Sequence, residues 1–243
     1  MRKIQVLTRK EDIDPSKLTH CTAVVIDVLL ATSTIAAALH HGIKEVIPVA
    51  NGDEAIAVYE SYRHEECLVA GELGGYPLEG FINPDPLELI QADLAGKSLI
   101  LSTTNGTVAI KNASTAKRVY TSSFLNGAEV AKQVRKDQDD SSLVIICAGS
   151  MGNFSLEDFL GAGYLISELV KPDLENWTLS DSAHTAYLSY QSQAENILPS
   201  FQKSATGRLL TELGYSEAIS YATQPGILPV VPRLENSRLV HMN

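Results

Sequence analysis

Residues 23–39 read AVVIDVLLATSTIAAAL, and this stretch decides the fold. Ala23, Val24, Val25 and Ile26 are apolar, and three of them are good strand formers. Asp27 follows directly, then the hydroxyl cluster Thr32, Ser33 and Thr34, then an alanine-rich run expected to be helical over Thr34–His41, with Gly42 as its C-terminal stop. Strand, acid, hydroxyl-rich turn and helix in that order form a ligand site at the carboxyl edge of an α/β sheet. A helix N-terminus offers unpaired amides and partial positive charge, which suits an anion. Ser33 or Thr34 is the expected N-cap. Taken alone, the stretch fits equally well an ordinary β–α turn with a capped helix and a surface Asp.

Outward from this stretch the same rhythm repeats. Strands are expected at Lys3–Leu7, Glu45–Val49, Cys67–Ala70, Ser98–Leu101, Arg118–Thr121 and Leu143–Cys147. Helices are expected from Gly52 to about Arg63, from about Thr107 to Asn112, over Asn126–Arg135 and over Leu156–Val170, with a charged loop at 136–142. Residues 71–88, GELGGYPLEGFINPDPLE, break the rhythm, and such a long loop is more often functional than idle. Beyond Pro172 the pattern turns helical: Leu179–Tyr190, Ala194–Phe201, Ala205–Leu213 and Ser216–Ala222, with a closing strand at Ile227–Val231. The expected fold is α/β: a layered sheet with flanking helices and a helical C-terminal part. It is read as one domain over 1–243, with a lobe change near 171–178 and two lobes around a cleft as a variant. Thr34-Ile35-Ala36 with Lys44 and Val46 recurs as Thr107-Val108-Ala109 with Lys117 and Val119. Either a duplicated half or chance likeness of two amphipathic units accounts for this echo.

Composition excludes several function classes. The chain has 243 residues, 44% of them hydrophobic, enough for a sizeable core. A net charge of −10 without any Lys/Arg run argues against a nucleic-acid surface. Three scattered cysteines make neither a disulfide frame nor a zinc site. No apolar run approaches the ~20 residues of a membrane span, and MRKIQVLTRKED lacks a signal-peptide core. A reduced, cytoplasmic protein with no membrane or nucleic-acid partner is expected.

Four strand ends carry polar groups: Asp27 with Thr32–Thr34, Gly71-Glu72, Ser102 to Thr107, and Cys147 to Ser150 with Gly149 between. On one edge of a parallel sheet they converge. Acids without balancing bases point to a cation, and oxygen ligands suit Mg²⁺. Hydroxyls and glycine amides at helix starts suit a phosphate. Together these read as phosphoryl chemistry. Ser155 and Asp158 have capping-box spacing, which explains Asp158 without function; alternatively Asp158 or Glu157 is a third acid in the cleft. Cys147 reads as a buried core residue, and the six histidines form no metal spacing.

At this point VVIDVLLATSTIAAAL, GELGG with the later EGF and P-L-E, LSTTNGT and CAGSMGNFSLEDFLGAG, with Val231-Pro232 near the end, resemble the 2-phosphosulfolactate phosphatases. The resemblance implies an α/β, Mg²⁺-dependent phosphatase acting on phosphate esters of 2-hydroxy acids, here 2-phosphosulfolactate giving sulfolactate and phosphate. It makes Asp27, Glu72 and Asp158 candidate catalytic acids and metal ligands. Ser33, Thr34, Thr103, Thr104, Asn105 and Gly106, with Gly149, become candidate phosphate contacts. Either a carboxylate, with Asp27 preferred, or a metal-bound water is expected to attack phosphorus. The expected partners are a small anionic phosphate ester and further copies of the chain, as a dimer.

The pattern also departs from the family. Arginine is usual where Leu30 and Leu73 stand, and Asn83-Pro84-Asp85-Pro86 replaces Gly-Asn-Ser-Pro. Two lost arginines remove two charge-assisted contacts of ~1.5–3 kcal/mol each. Leu30 and Leu73 are therefore expected beside the cleft, leaving it poor in positive charge unless Arg208 or Arg233 compensates. Two alternatives follow: a non-catalytic relative that binds a small anion, and a haloacid-dehalogenase-type phosphatase. The latter needs a second acid two residues after the nucleophile, where this chain has Leu29.

Overall fold

A computed structural model describes residues 2–62, 66–137, 141–171 and 174–242. In chain order its elements are β1 (Arg2–Leu7), α1 (Pro15–Leu18), β2 (Thr22–Ile26), α2 (Ala31–His40), β3 (Glu45–Val49), α3 (Gly52–Glu60), β4 (Cys67–Leu73) and β5 (Tyr76–Pro77). Next come α4 (Pro86–Leu89), β6 (Ser98–Ser102), α5 (Gly106–Asn112), β7 (Arg118–Ser122), α6 (Gly127–Lys136), β8 (Leu143–Cys147) and α7 (Leu156–Val170). The chain continues with β9 (Trp177–Leu179), α8 (Asp181–Gln191), α9 (Leu198–Lys203), α10 (Ala205–Glu212), α11 (Ser216–Ala222), β10 (Pro232–Glu235) and β11 (Arg238–His241). The expected α/β architecture is present.

The strand order is β5-β4-β6-β3-β11-β10-β7-β2-β8-β1-β9. It is not one parallel sheet. β4, β6 and β3 are mutually parallel, as are β7, β2, β8, β1 and β9. The β10–β11 hairpin joins the two blocks through three antiparallel steps, so the blocks run in opposite directions. The units β2-α2-β3-α3-β4 and β6-α5-β7-α6-β8 occupy equivalent places about the hairpin. Each places its first strand in the other's block: β2 between β7 and β8, β6 between β3 and β4. The sequence echo falls on α2–β3 and α5–β7.

Alternation along the strands builds a core on each face. Val24 and Ile26 of β2 join Leu143, Ile145 and Cys147 of β8 beneath α6 and α7. Ala23 and Val25, with Val144 and Ile146, pack on the opposite face against Ile35, Ala38, Ala109 and Ile110 of α2 and α5. β2 and β8 are buried on both faces, hence their unbroken apolar runs. Each fully buried Val, Ile or Leu contributes about 1.5–3 kcal/mol.

Several boundaries differ from expectation, each for a physical reason. α2 begins at Ala31, not Thr34, so Ser33 and Thr34 lie inside its first turn and neither caps it; Leu30 sits at the N-cap position without a side-chain cap. The Ala31 amide is taken by Asp27, four residues back. The 71–88 segment is not one loop: β4 runs on to Leu73, turns at Gly74-Gly75 into β5, and Asp85 caps α4 through the amides of Leu87 and Glu88. The expected strand at 227–231 does not form: Pro229 lacks an amide, Leu228 bonds the Leu125 carbonyl instead, and pairing starts at Pro232. α9 starts only at Leu198, with Pro199 in its first turn. The expected helix end at Arg63, residues 138–140 of the charged loop and residues 172–173 of the lobe change lie outside the described residues. After that point β9 adds to β1, continuing the sheet.

α7 packs closely on α8 at Gly163. A Cβ on Gly163 would lie 2.1 Å from the Ala186 carbonyl oxygen and 2.6 Å from Tyr190 Cβ. Glycine lets the backbone of α8 lie directly against α7. Gly163→Ala is expected to cost about 2–3 kcal/mol, measured by urea unfolding at constant m-value.

Candidate active site

Asp27, Glu72, Thr103, Thr104 and Asn105 line one cleft, together with Ser150 and Met151 from the loop after β8. The two blocks of the sheet bring their strand ends together here, so β2, β4, β6 and β8 all contribute. No Lys, Arg or His lines the cleft among the described residues.

Asp27 forms the floor. The Thr32 hydroxyl accepts from its amide at 3.1 Å and donates to its carbonyl at 2.8 Å, clamping the turn. A Cβ on Gly106 would meet Asp27 Oδ2 at 2.6 Å and Ala31 Cβ at 2.5 Å, so only glycine lets α5 start against the acid. Asp27 is 7% exposed. Burial, then the charges of Glu72 and Glu157, push its carboxyl from the ordinary 3.8 up to about 7. The Ala31 amide and the Lys10 ammonium pull the other way.

Glu72 is fixed by three donors: Thr104 N at 2.6 Å on one oxygen, Gly75 N at 2.7 Å and the Thr104 hydroxyl at 3.0 Å on the other. Thr104 Oγ1 in turn accepts from Gly74 N at 2.7 Å, tying the β4–β5 turn to the start of α5. The oxygen that meets Thr104 N keeps one lone pair.

The other expected site residues divide in two. Thr103, Thr104 and Asn105 line the cleft and Gly106 abuts Asp27. Yet their polar groups are largely engaged: Thr103 Oγ1 accepts from Thr107 N, and Asn105 Oδ1 accepts from Lys10 Nζ at 2.8 Å and Met151 N at 3.2 Å. Ser33, Thr34, Gly149 and Asp158 do not line it. The Ser33 hydroxyl donates to Val28 O and the Thr34 hydroxyl to Pro84 O. Thr34 thereby holds the Asn83-Pro84 segment, which does line the cleft. Asp158 lies behind it, its two oxygens accepting from Val28 N and Gly149 N, both at 3.0 Å. Ser155 Oγ accepts from Asp158 N, so half of the expected capping box forms while the carboxylate pins two loops instead. Burial and the charges of Asp27 and Glu157 push the Asp158 carboxyl well up. Leu30 lines the cleft; Leu73, 67% exposed, lies in the adjoining groove with Glu72. Arg208 donates to the Lys203 carbonyl and Arg233 pairs with Glu235, so neither reaches the cleft. Cys147 is fully buried, its thiol pushed well up by burial.

Sequence reading missed Lys10 and the wall built by Thr206, Leu209, Leu210 and Tyr215. It weighed Glu157 only as an alternative to Asp158, whereas the Glu157 charge acts on both Asp27 and Asp158. Lys10 lies just after β1, at a fifth strand end, which was a usable signal. The α10 residues carry no chemical mark.

The fit to Mg²⁺ follows from these donors. Among the described residues no three His, Cys, Asp or Glu side chains converge to hold a metal. Two carboxylates in one cleft that no basic side chain lines do suit Mg²⁺, which keeps several waters and takes one or two protein carboxylates beside a phosphate.

A family model described as 2-phosphosulpholactate phosphatase matches residues 7–237. The chain is 33% identical over 238 residues to a probable 2-phosphosulfolactate phosphatase of Clostridium beijerinckii, covering 98% of both. It is 35% identical over 240 residues to one of Clostridium acetobutylicum, covering 98% of this chain and 100% of the relative. A third, of Caldanaerobacter subterraneus, is 35% identical over 234 residues, covering 96% and 95%.

The raised carboxyl of Asp27 has a stability consequence. The folded state keeps this proton to higher pH than the unfolded chain, so this group's contribution to stability is most favourable below about 3.8 and is lost as pH rises towards 7. In EDTA at pH 8, Asp27→Asn is expected to melt several degrees above the wild type. At pH 4 the two should melt together, as followed by circular dichroism.

Proposed function

Since the chain belongs to the 2-phosphosulfolactate phosphatase family, we propose that its cleft hydrolyses the phosphate monoester of a 2-hydroxy acid, as the names of its relatives suggest for 2-phosphosulfolactate, with Mg²⁺ as cofactor. The observation that supports this best is the pair Asp27 and Glu72 in a cleft lined by no base. Such a cleft repels a phosphate dianion unless a cation bridges the two.

Bound Mg²⁺ would neutralise phosphoryl oxygens and act as a Lewis acid. Asp27 and Glu72 are the residues to hold it. Glu72 is already oriented by Thr104 and Gly75, so little ordering is needed on binding. Asp27 sits at the starts of both α2 and α5, where helix dipoles favour its ionised form. Ionised, Asp27 can take a proton from a water that attacks phosphorus and hand it to the alkoxide that leaves as the ester P–O bond breaks; in the alternative route its carboxylate itself attacks phosphorus, and the departing alkoxide takes its proton from water. Lys10 holds Asn105 at the rim and fixes the start of α5. Asp158 acts at a distance, keeping the loop after β2 and the loop after β8 in register behind the floor. The haloacid-dehalogenase pattern finds no support, because Leu29 stands in the cleft where a second acid would be.

Phosphate release from 2-phosphosulfolactate and other 2-phospho acids, with Mg²⁺ and with EDTA, tests the reading. Activity in Mg²⁺ lost in EDTA is expected, and none in either would favour an anion-binding relative. Calorimetry should show Mg²⁺ affinity falling about tenfold or more in Asp27→Asn and in Glu72→Gln. Unchanged affinity in both would remove these residues from the metal site. The corresponding loss in kcat for Asp27→Asn should exceed about a thousandfold.

A further inference from the structure

Resting on the phosphatase reading, we propose that the cleft selects 2-phospho acids whose substituent is alkyl or aryl rather than a second strong anion such as a sulfonate. The wall beside the two carboxylates is mainly apolar: Leu29 and Leu30 after β2, Leu209 and Leu210 of α10 with Thr206 beside them, Tyr215 before α11, and Met151 at the rim. Leu29 and Leu210 belong to the main core, so the wall is rigid. Leu30, Leu209 and Tyr215 are half-buried and keep apolar surface towards the cleft. The Gly74-Gly75 turn roofs this side; a Cβ on Gly75 would lie 3.2 Å from Leu209 Cδ2.

Among the described residues the neighbouring basic side chains are already paired. Lys10 Nζ is held by Asn105 and Glu11, at 2.8 Å each. Arg9 is held by Asp12 and by the Gly152 carbonyl. Arg208, next to Leu209 in sequence, is exposed and bonds Lys203. With any Mg²⁺ taken up by the two carboxylates and the phosphate, a sulfonate against this wall would lose water without meeting a basic side chain among the lining residues. A branched alkyl or aryl group would instead cover the leucines and lose only water that hydrates them poorly. The phosphate and carboxylate are common to both kinds of ester, so the substituent alone decides.

The test compares two phosphate esters, that of 2-hydroxy-4-methylpentanoate and 2-phosphosulfolactate, with Mg²⁺ present. The alkyl ester is expected to show kcat/KM about tenfold or more higher, carried mainly by KM. Leu209→Arg should raise kcat/KM for the sulfonated ester and lower it for the alkyl ester, and the first gain should shrink as salt rises. Leu209→Gln, which adds no charge, should weaken only the alkyl ester. Equal or better turnover of the sulfonated ester by the wild type would overturn the inference while leaving the phosphatase reading standing. If neither ester is hydrolysed that reading fails, and calorimetric binding of the same two esters decides the inference: tighter alkyl binding sustains it, and equal, weaker or absent binding overturns it.

Discussion

A carboxylate removed from water needs donors, and the way Asp27 is held organises everything around it. Its backbone is locked by Thr32, its carboxylate takes the Ala31 amide, and its far side rests on Gly106. These contacts fix where α2 and α5 begin. They also require the absence of a side chain at 106 and of a cap at Leu30. Without the acid, the start of α2 would need another solution for its first amide.

The same acid is surrounded by charge of its own sign. Glu72 and Glu157 disfavour its ionised form, and Asp158 is disfavoured by Asp27 and Glu157 in turn. Glu157 itself is 2% exposed, so its charge acts through protein rather than through water. A fold optimised for stability alone would not collect these groups. Their cost is offset by what lies behind them, the two-faced core of β2 and β8 and the α7–α8 contact at Gly163. The acidic cleft thus lies at the ends of strands that are buried on both faces.

Much of this was legible in the sequence, and the exceptions follow from distance. β3, β8, α7 and α11 stand where periodicity puts them, because their signals are local. Asp27 and Glu72 were identifiable because an acid that directly ends an apolar strand contributes nothing to the core and is costly to bury. The roles of Ser33, Thr34 and Gly149 were not: their partners, Val28, Pro84 and Asp158, are set by the course of other loops. The start of α2 was misplaced because the residue satisfying its first amide lies four positions upstream, not at the cap. The leucine wall was invisible because an apolar residue of α10 facing a cleft looks the same as one facing a core. The opposed direction of the two blocks could not be read either, since it depends on a hairpin at 232–241.

That hairpin has a temporal meaning. Ribosomes deliver the chain from its N-terminus, and the two strands that bridge the blocks emerge after every other strand of the sheet. Because β2 and β6 are exchanged between the units, the first unit cannot complete its block until β6 of the second appears. The inner edges of β3 and β7 then stay unpaired until residues 232–241 arrive, exposing backbone that invites pairing with other nascent chains. The architecture that brings two acids into one cleft therefore makes this short hairpin the lock of the whole sheet, and a chain stopped before Pro232 would carry two open edges rather than form a smaller folded protein.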